Sequence, residues 1–435
     1  MSITRTVPSA VMEWVNWSGS QRCTPARFVV PRTRRELAQA IVDGPAPVRV
    51  AGAGHSFSGG VATEGTLISL DRLARVLDAD AATGLVRVEA GIRLHQLSQE
   101  LHARGLAMPN LGDIDAQSLA GALSTGTHGT GTRFPNLAAQ VESVELLLAD
   151  GSERTVRDGD LLRAARVSLG ALGVIAAVTI RCVPAFKLRI VDRPEPLDAV
   201  LGSLQERADT HDHFEFWAFP HAEAALVRTL DETEAKVARP SRAGAYTSDV
   251  LMDNHAFRAV SEVAKRFPSQ IPRLNRFMSS VASQRERVDW SYRIFASQRL
   301  VRFEEMEYAL PREHAVEGVL AAKAALERHP VSFPIELRFS AADDALLSPA
   351  HERESTFVAV HVFRSMAYEA AFRDVEAALG ELGGRPHWGK RSFLGAAELA
   401  PRYPMWDAFQ AFRHELDPEG RFANAWVRNV LGYRA

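Results

Sequence analysis

The stretch Val48-Arg49-Val50-Ala51-Gly52-Ala53-Gly54-His55-Ser56-Phe57 is an apolar, strand-like run that breaks into a glycine turn with a histidine just beyond it. Gly52 and Gly54 can take positive φ, so successive backbone N–H groups can converge on one concavity and hold pyrophosphate oxygens without a cationic side chain. A nicotinamide-dinucleotide fingerprint would need a third glycine where Phe57 stands and an acidic residue about 20 positions on, and a Walker A loop would need Gly-Lys-Ser/Thr. Neither pattern is present. By itself the stretch also fits an ordinary glycine-rich turn carrying a surface histidine.

The surrounding chain narrows the choice. Its 435 residues are enough for two or three domains of roughly 100–200 residues each. Hydrophobic residues at 46% and charged residues at 24% place it among globular proteins, and a formal net charge of -2 gives no general drive toward nucleic acid or anionic membrane. Cys23 and Cys182 are too far apart in sequence to suggest a disulfide framework, which fits a reducing compartment, and neither looks catalytic. Met1 to Pro8 lacks an apolar leader core, and no stretch offers ~18 uninterrupted apolar residues. A cytoplasmic protein without an integral membrane segment, nucleic-acid partner or metal is expected.

From about residue 27 to 185, short β-rich runs alternate with helical ones, which predicts α+β layering. Strands are expected at Phe28–Val30, Val48–Ala51, Leu67–Leu70, Leu85–Ala90, Val141–Leu148 and Ala177–Cys182, with Glu153–Val156 returning after the Asp150-Gly151 turn. Helices are expected over Arg35–Val42 and Ile92–Leu106, the latter with Leu94, Leu97 and Leu101 at helical spacing. After about residue 190 the chain turns more aromatic and charged, with a polar, loop-like stretch from Glu232 to Tyr246. Strands return at Ile335–Phe339 and Phe357–Phe363, separated from the chain's end by a helix between Met366 and Leu382.

Three further segments concentrate chemistry. Gly121-Ala122-Leu123-Ser124-Thr125-Gly126-Thr127-His128-Gly129-Thr130-Gly131 interleaves glycines with hydroxyls, so its backbone can approach a flat ring or a phosphate closely; a flexible surface linker is the alternative, and a helix is not expected there. In Glu336-Leu337-Arg338, period-2 alternation puts both ionic side chains on one strand face, either as a substrate-facing pair or as an exposed pair worth only ~0–1 kcal/mol. Arg385-Pro386-His387-Trp388-Gly389-Lys390 gathers three ionisable side chains in a turn that could equally be structural.

Taken in order, these four segments resemble the aldonolactone oxidoreductase branch of the vanillyl-alcohol-oxidase-type flavoproteins, which includes gulonolactone, arabinonolactone and galactonolactone oxidases and dehydrogenases, with alditol oxidase a relative. The resemblance runs from Asn16-Trp17-Ser18-Gly19 to Asp417-Pro418-Glu419-Gly420-Arg421-Phe422-Ala423-Asn424 and Val430-Leu431-Gly432. It implies a two-subdomain FAD-binding domain, here residues 12–187, and a C-terminal α+β cap over residues 188–435 whose last segment returns to the flavin. It also implies oxidation of a CH–OH group of L-gulono-1,4-lactone or a related aldonolactone by hydride transfer to flavin N5, with oxygen, a protein or a dye as electron acceptor. An alditol or other sugar oxidase producing hydrogen peroxide is the second reading. A binding protein that kept the fold without turnover would be expected to have lost the ionic cap residues.

By that resemblance His55 is joined covalently to FAD, a role a neutral imidazole beside an electrophilic carbon can fill. The cofactor is flanked by Gly52, Ala53, Gly54, Ser56, Gly112, Ser118, Gly121, Ser124, Thr125, Gly126, His128, Gly129, Gly173, Val174, Ile175, Lys390 and Asn424. Glu336, Arg338, His361 and Lys390 are implied to be catalytic and, with Asp113, to bind substrate. Arg338 and Lys390 would stabilise developing negative charge, Glu336 would orient Arg338, and His361 has the unperturbed pKa best suited to proton transfer. Two departures stand out: Asp113 and Phe363 take places where alditol oxidase has polyol-contacting hydroxyls, which favours a lactone ring. Gly112 takes the place of an alanine that shields the flavin from oxygen in plant-type dehydrogenases.

Overall fold

Val48–Ala51 pairs in parallel with Thr66–Ser69, and that strand pairs on its other side with Arg27–Val29 to form a three-stranded sheet. The intervening helix Arg34–Asp43 starts where Thr33 accepts from the Glu36 N–H, and it buries Leu37, Ala40 and Ile41. The computed structural model describes residues 12–238, 257–281, 283–297 and 300–433. Met1 to Pro8 and residues 239–246 of the polar stretch lie outside them; Glu232, where that stretch begins, ends the strand Ala224–Glu232.

A second, antiparallel sheet has five strands in the order Glu153–Val156, Val141–Leu147, Val174–Arg181, Leu85–Glu89, Val76–Asp80. Both small sheets share one core with the helix Leu94–His102, and the C-terminal helices Trp406–Leu416 and Ala425–Leu431 pack into that same core. Both cysteines are free. Among the described residues no helix is long and apolar enough to cross a membrane.

The third sheet carries the chemistry. Its eight antiparallel strands run Arg285–Trp290, Lys187–Pro196, Ala224–Glu232, His213–Ala218, Ile335–Ser340, Ser355–Phe363, Phe303–Pro311, Arg385–Pro386. Phe214 and Phe216, Met306 and Tyr308, Ile335 and Leu337, and Val358 and Val360 all point to one face, where they pack with Val319, Ala322, Phe372 and Val375 of the helices Ala315–Leu326 and Glu369–Glu381. Strand alternation therefore sends Glu215, Glu305, Glu307, Glu336, Arg338 and His361 to the opposite face.

One expectation fails in this region. Leu119–Ser124 is a helix, so the glycine-rich segment begins inside a helical turn. Ser118 caps it by accepting from the Gly121 N–H, and Leu119, Ala122 and Leu123 are buried, so capping and packing override the low helix propensity of glycine.

Candidate active site

Between the glycine turn and the ionic face of the large sheet lies a cavity of about 1330 Å³. That exceeds the ~300–1,000 Å³ of ordinary small-molecule pockets and leaves room for an extended dinucleotide cofactor beside a substrate. Gly54 has φ +71°, and a Cβ on Gly52 would meet Ser118 Oγ at 2.3 Å, so both glycines are demanded by the shape of the turn. The turn is tied to the distant Arg385–Lys390 segment: the Gly389 carbonyl accepts from the Phe57 N–H at 2.7 Å and from Ser56 Oγ at 3.0 Å. Arg49, behind the turn, donates to the carbonyls of Gly60, Leu169, Gly170 and Phe422 and so fixes it to the C-terminal segment.

His55 stacks on Trp17 with ring centroids 5.5 Å apart, and its Nδ1 is buried with no hydrogen-bond partner among the described residues. Burial first, then the charges of Arg93 and Lys390, push its pKa down to about 4. A neutral imidazole therefore lines the cavity, with Nδ1 buried and free of any hydrogen bond.

Nearly all the expected site residues converge here. Gly52, Ala53, Gly54, His55 and Ser56 line it from the glycine turn, together with Gly112, Asp113, Ser118, Gly121, Ser124, Thr125 and His128 and with Gly173, Val174 and Ile175; Glu336, Arg338 and His361 line it from the large sheet, and Lys390 from the turn tied to Ser56 and Phe57. Three do not line it. The Asn424 amide is spent on capping, donating to the Gly59 and Ala62 carbonyls and accepting from the Val427 N–H. Gly126 turns at φ +72° after the short helix, and Gly129 lets the backbone pass Leu111 and Asn110, where a Cβ would stand 2.3 Å from the Leu111 carbonyl oxygen. Phe363 also sits off the wall, its ring 6.3 Å from that of Phe333, which does line the cavity.

The ionic groups form two clusters. In one, Arg338 is ringed by carboxylates: Asp113 at 2.5 Å from Nη2, Glu215 at 2.9 Å from Nε, and Glu336 in close contact with Nη2. In the other, Glu305 pairs with Lys390 Nζ and stands 3.5 Å from His361 Nε2, while Glu336 stands 3.8 Å from the same nitrogen. His361 Nδ1 donates to the Pro334 carbonyl at 3.2 Å, which turns Nε2 toward those carboxylates. Burial opposes the charged His361, but the hydrogen bond and charge of Glu305 and the charge of Glu336 outweigh it, and its pKa rises above 6.5. Lys390 is likewise held above 10.5, its burial offset by Glu305 and Glu307. For Glu305 the burial that would raise its pKa is overcome by Lys390 and His361, leaving it at about 2.

Behind these sits a third group: His128, Glu307 and His387 have donor atoms within 4.8 Å of one another. His387 Nδ1 accepts from the Gly389 N–H at 3.0 Å and burial pushes its pKa to about 3, so it is a neutral ring. His128 directs Nδ1 to the Gly129 carbonyl at 2.8 Å and Nε2 to Glu307 at 3.3 Å.

Sequence reasoning assigns no role to Glu215, Glu305 or Glu307, and it marks His387 only as one of the ionisable residues of the Arg385–Lys390 segment. A signal existed for the glutamates: Glu305-Met306-Glu307-Tyr308 and Phe214-Glu215-Phe216 alternate with period 2, placing acids on one face.

Comparison with known proteins places the chain in a family. Residues 178–430 match the family described as D-arabinono-1,4-lactone oxidase, and residues 25–157 match the FAD binding domain. The chain belongs to the D-arabinono-1,4-lactone oxidase family. This member is 44% identical over 424 residues to an L-gulono-1,4-lactone dehydrogenase of Mycobacterium tuberculosis, covering 96% of this chain and 99% of that one. It is 32% identical to the L-gulonolactone oxidase of Mus musculus, covering 97% and 98%, and 31% identical to an alditol oxidase of a Streptomyces species, covering 96% and 98%. Among solved structures, the cholesterol oxidase from B. sterolicum superposes with a TM-score of 0.79 at 15% identity over 99% of this chain and 100% of that one, a likeness of fold.

Proposed function

We propose that this family member is an FAD-dependent oxidoreductase that oxidises a CH–OH group of an aldono-1,4-lactone, with L-gulono-1,4-lactone the first candidate. The observation that supports it most is the convergence of Glu336, Arg338, His361 and Lys390 on a cavity that the glycine turn and His55 also line. Residues 12–187 are read as the FAD-binding domain and residues 188–435 as the cap.

The residues present fit FAD. The turn at Gly52 and Gly54 lines the cavity with backbone, which suits a pyrophosphate, and the partnerless Nδ1 of His55 suits a bond to the ring system. Bound there, FAD supplies the hydride acceptor. The protein's own part is to hold charge and move one proton. Lys390 keeps an ammonium beside Glu305, and the Glu336 carboxylate, with His361 Nε2 held toward its charged form between it and Glu305, is the acceptor for the hydroxyl proton. Anaerobic mixing of the purified protein with L-gulono-1,4-lactone, D-arabinono-1,4-lactone and xylitol tests the reading. Bleaching of the yellow colour by a lactone is expected; bleaching by xylitol alone would transfer the assignment to alditol oxidation.

Covalent attachment through His55 has its own assay. After acid precipitation the yellow colour should stay with the polypeptide, and His55→Ala should release it into the supernatant while the fold persists, because the turn is held by backbone contacts. Colour in the supernatant of the unaltered protein would refute attachment.

Gly112 is proposed to leave oxygen a path to the flavin. A Cβ there would meet the His128 carbonyl oxygen at 3.0 Å, so Gly112→Ala must shift the His128 wall by a few tenths of an ångström as well as narrow the path. Slower reoxidation of the reduced protein by oxygen is expected in stopped-flow, and equal rates in the two forms would remove Gly112 as the gate.

A further inference from the structure

The helices Phe257–Arg266 and Ile271–Ser280 touch each other and are joined by a tight turn over residues 267–270. Their inner sides are fixed to the cap. Ser261 and Ala264 of the first and Ile271 and Asn275 of the second are buried, Asn275 Nδ2 donates to the carbonyls of Pro220 at 3.1 Å and Val331 at 3.0 Å, and Ser279 Oγ donates to that of Ala224 at 3.0 Å. Their outer sides carry apolar residues where an exposed helix face is normally polar. Val263 and Phe267 follow one another at i, i+4, as do Phe277 and Val281, and backbone bonds from the Phe267 and Val281 N–H groups to the Val263 and Phe277 carbonyls hold that spacing. All four side chains are exposed, the phenylalanines by 56% and 57%. Single exposed hydrophobics are ordinary; two pairs at helical spacing on touching helices make a surface.

The charge of the same segment is one-sided. Residues 257–281 carry Arg258, Lys265, Arg266, Arg273 and Arg276, all exposed, against the single acid Glu262, in a chain whose formal net charge is -2. No carboxylate among the described residues pairs with any of the five, and Arg273 donates only to Gln270. Glu223, next to the Ala224 anchor, does not reverse the balance. Arg266-Phe267 and Arg276-Phe277 each set a guanidinium beside an exposed ring. Rings that enter an acyl boundary while neighbouring cations stay with the phosphates are the mark of helices that lie in a membrane interface. A second copy of the chain fits less well, because an isologous contact would set the five cations against their own symmetry mates. An acidic protein would need pockets to receive the two rings, whereas a fluid lipid surface needs none.

We infer that the face carrying Val263, Phe267, Phe277 and Val281 is a docking surface for an anionic lipid bilayer, with the rings inserted and the flanking cations on lipid phosphates. Phe257, Met278, Ser279 and Val281 also line the cavity, so docking brings the bilayer beside that part of its wall. The inference does not depend on the lactone reading.

The test sediments the holoprotein with phosphatidylcholine vesicles and with vesicles that also contain phosphatidylglycerol. Binding is expected to the second kind only, and it should weaken at least about tenfold as salt rises from ~0.05 to ~0.5 M and the screening length shortens. The double variant Phe267→Ser, Phe277→Ser should weaken it at least about tenfold through lost apolar burial. The double variant Arg266→Glu, Arg276→Glu should do the same through lost attraction to the anionic surface. Melting temperature should stay at the parent value in both, because none of the four side chains is buried. Absence of binding to the anionic vesicles, equal binding to neutral ones, or full binding by the phenylalanine variant overturns the assignment. So does self-association in analytical ultracentrifugation that the phenylalanine variant abolishes, which would give the face to a second copy.

Discussion

Replacing Lys390 by methionine should slow substrate-dependent bleaching by about 10²–10³-fold, the cost typical of losing one preorganised electrostatic group. Sequence reading alone would expect little change in stability, since Lys390 is read as a charge placed for the transition state and not as a core contact. The structure argues otherwise. Its ammonium pairs with Glu305, which is buried, and removing one partner of a buried pair strands the other. His361 remains 3.5 Å from Glu305, so the loss should sit near the low end of the usual range, about 3 kcal/mol. The double variant Lys390→Met, Glu305→Gln separates the two effects: stability in urea should return toward the parent, and the rate should not. Recovery of both would mean that Lys390 serves only to neutralise Glu305.

The same pair shows where sequence reasoning ends. Lys390 was legible because it closes a compact motif, Arg385 to Lys390, whose residue types are unusual together. Glu305 was not, although it alternates visibly with Met306, because a strand glutamate facing away from an apolar side is normally solvated. Its meaning comes from register: Glu305 lies directly opposite His361 on the neighbouring strand, and the turn carrying Lys390 is tied back to the same strand through the Arg391 N–H to the Glu305 carbonyl. No local pattern encodes that pairing. The strand Val48–Ala51, the return strand Glu153–Val156 and the alternation at Glu336 and Arg338 were readable because their signals are local. Gly121 to Ser124 misled for the complementary reason, since the Ser118 cap and the burial of Leu119 and Leu123 decide that turn. Asn424 misled because its amide serves the start of the last helix and two loop carbonyls, a purely structural use.

Arg338→Ala carries the larger stability penalty. The guanidinium is the shared partner of Asp113, Glu215 and Glu336, so deleting it takes one buried cation from three carboxylates at once, while Glu215 keeps Arg228 at 3.5 Å. Breaking a single buried pair costs about 3–5 kcal/mol, and this deletion should reach the top of that range. The pH dependence gives it a signature. A carboxyl whose native pKa lies above its unfolded value contributes stability that is fully present below the unfolded pKa and is lost as pH rises through the native one. Glu215 is already in that position, near 7 against 4.5, and losing Arg338, whose charge pulls it down, should push it further up. The variant should therefore melt closest to the parent near pH 5 and fall progressively behind toward pH 8. A melting deficit that stayed constant across that window would mean that Glu215 does not depend on Arg338 for its charge, and the arrangement around it would have to be read as packing.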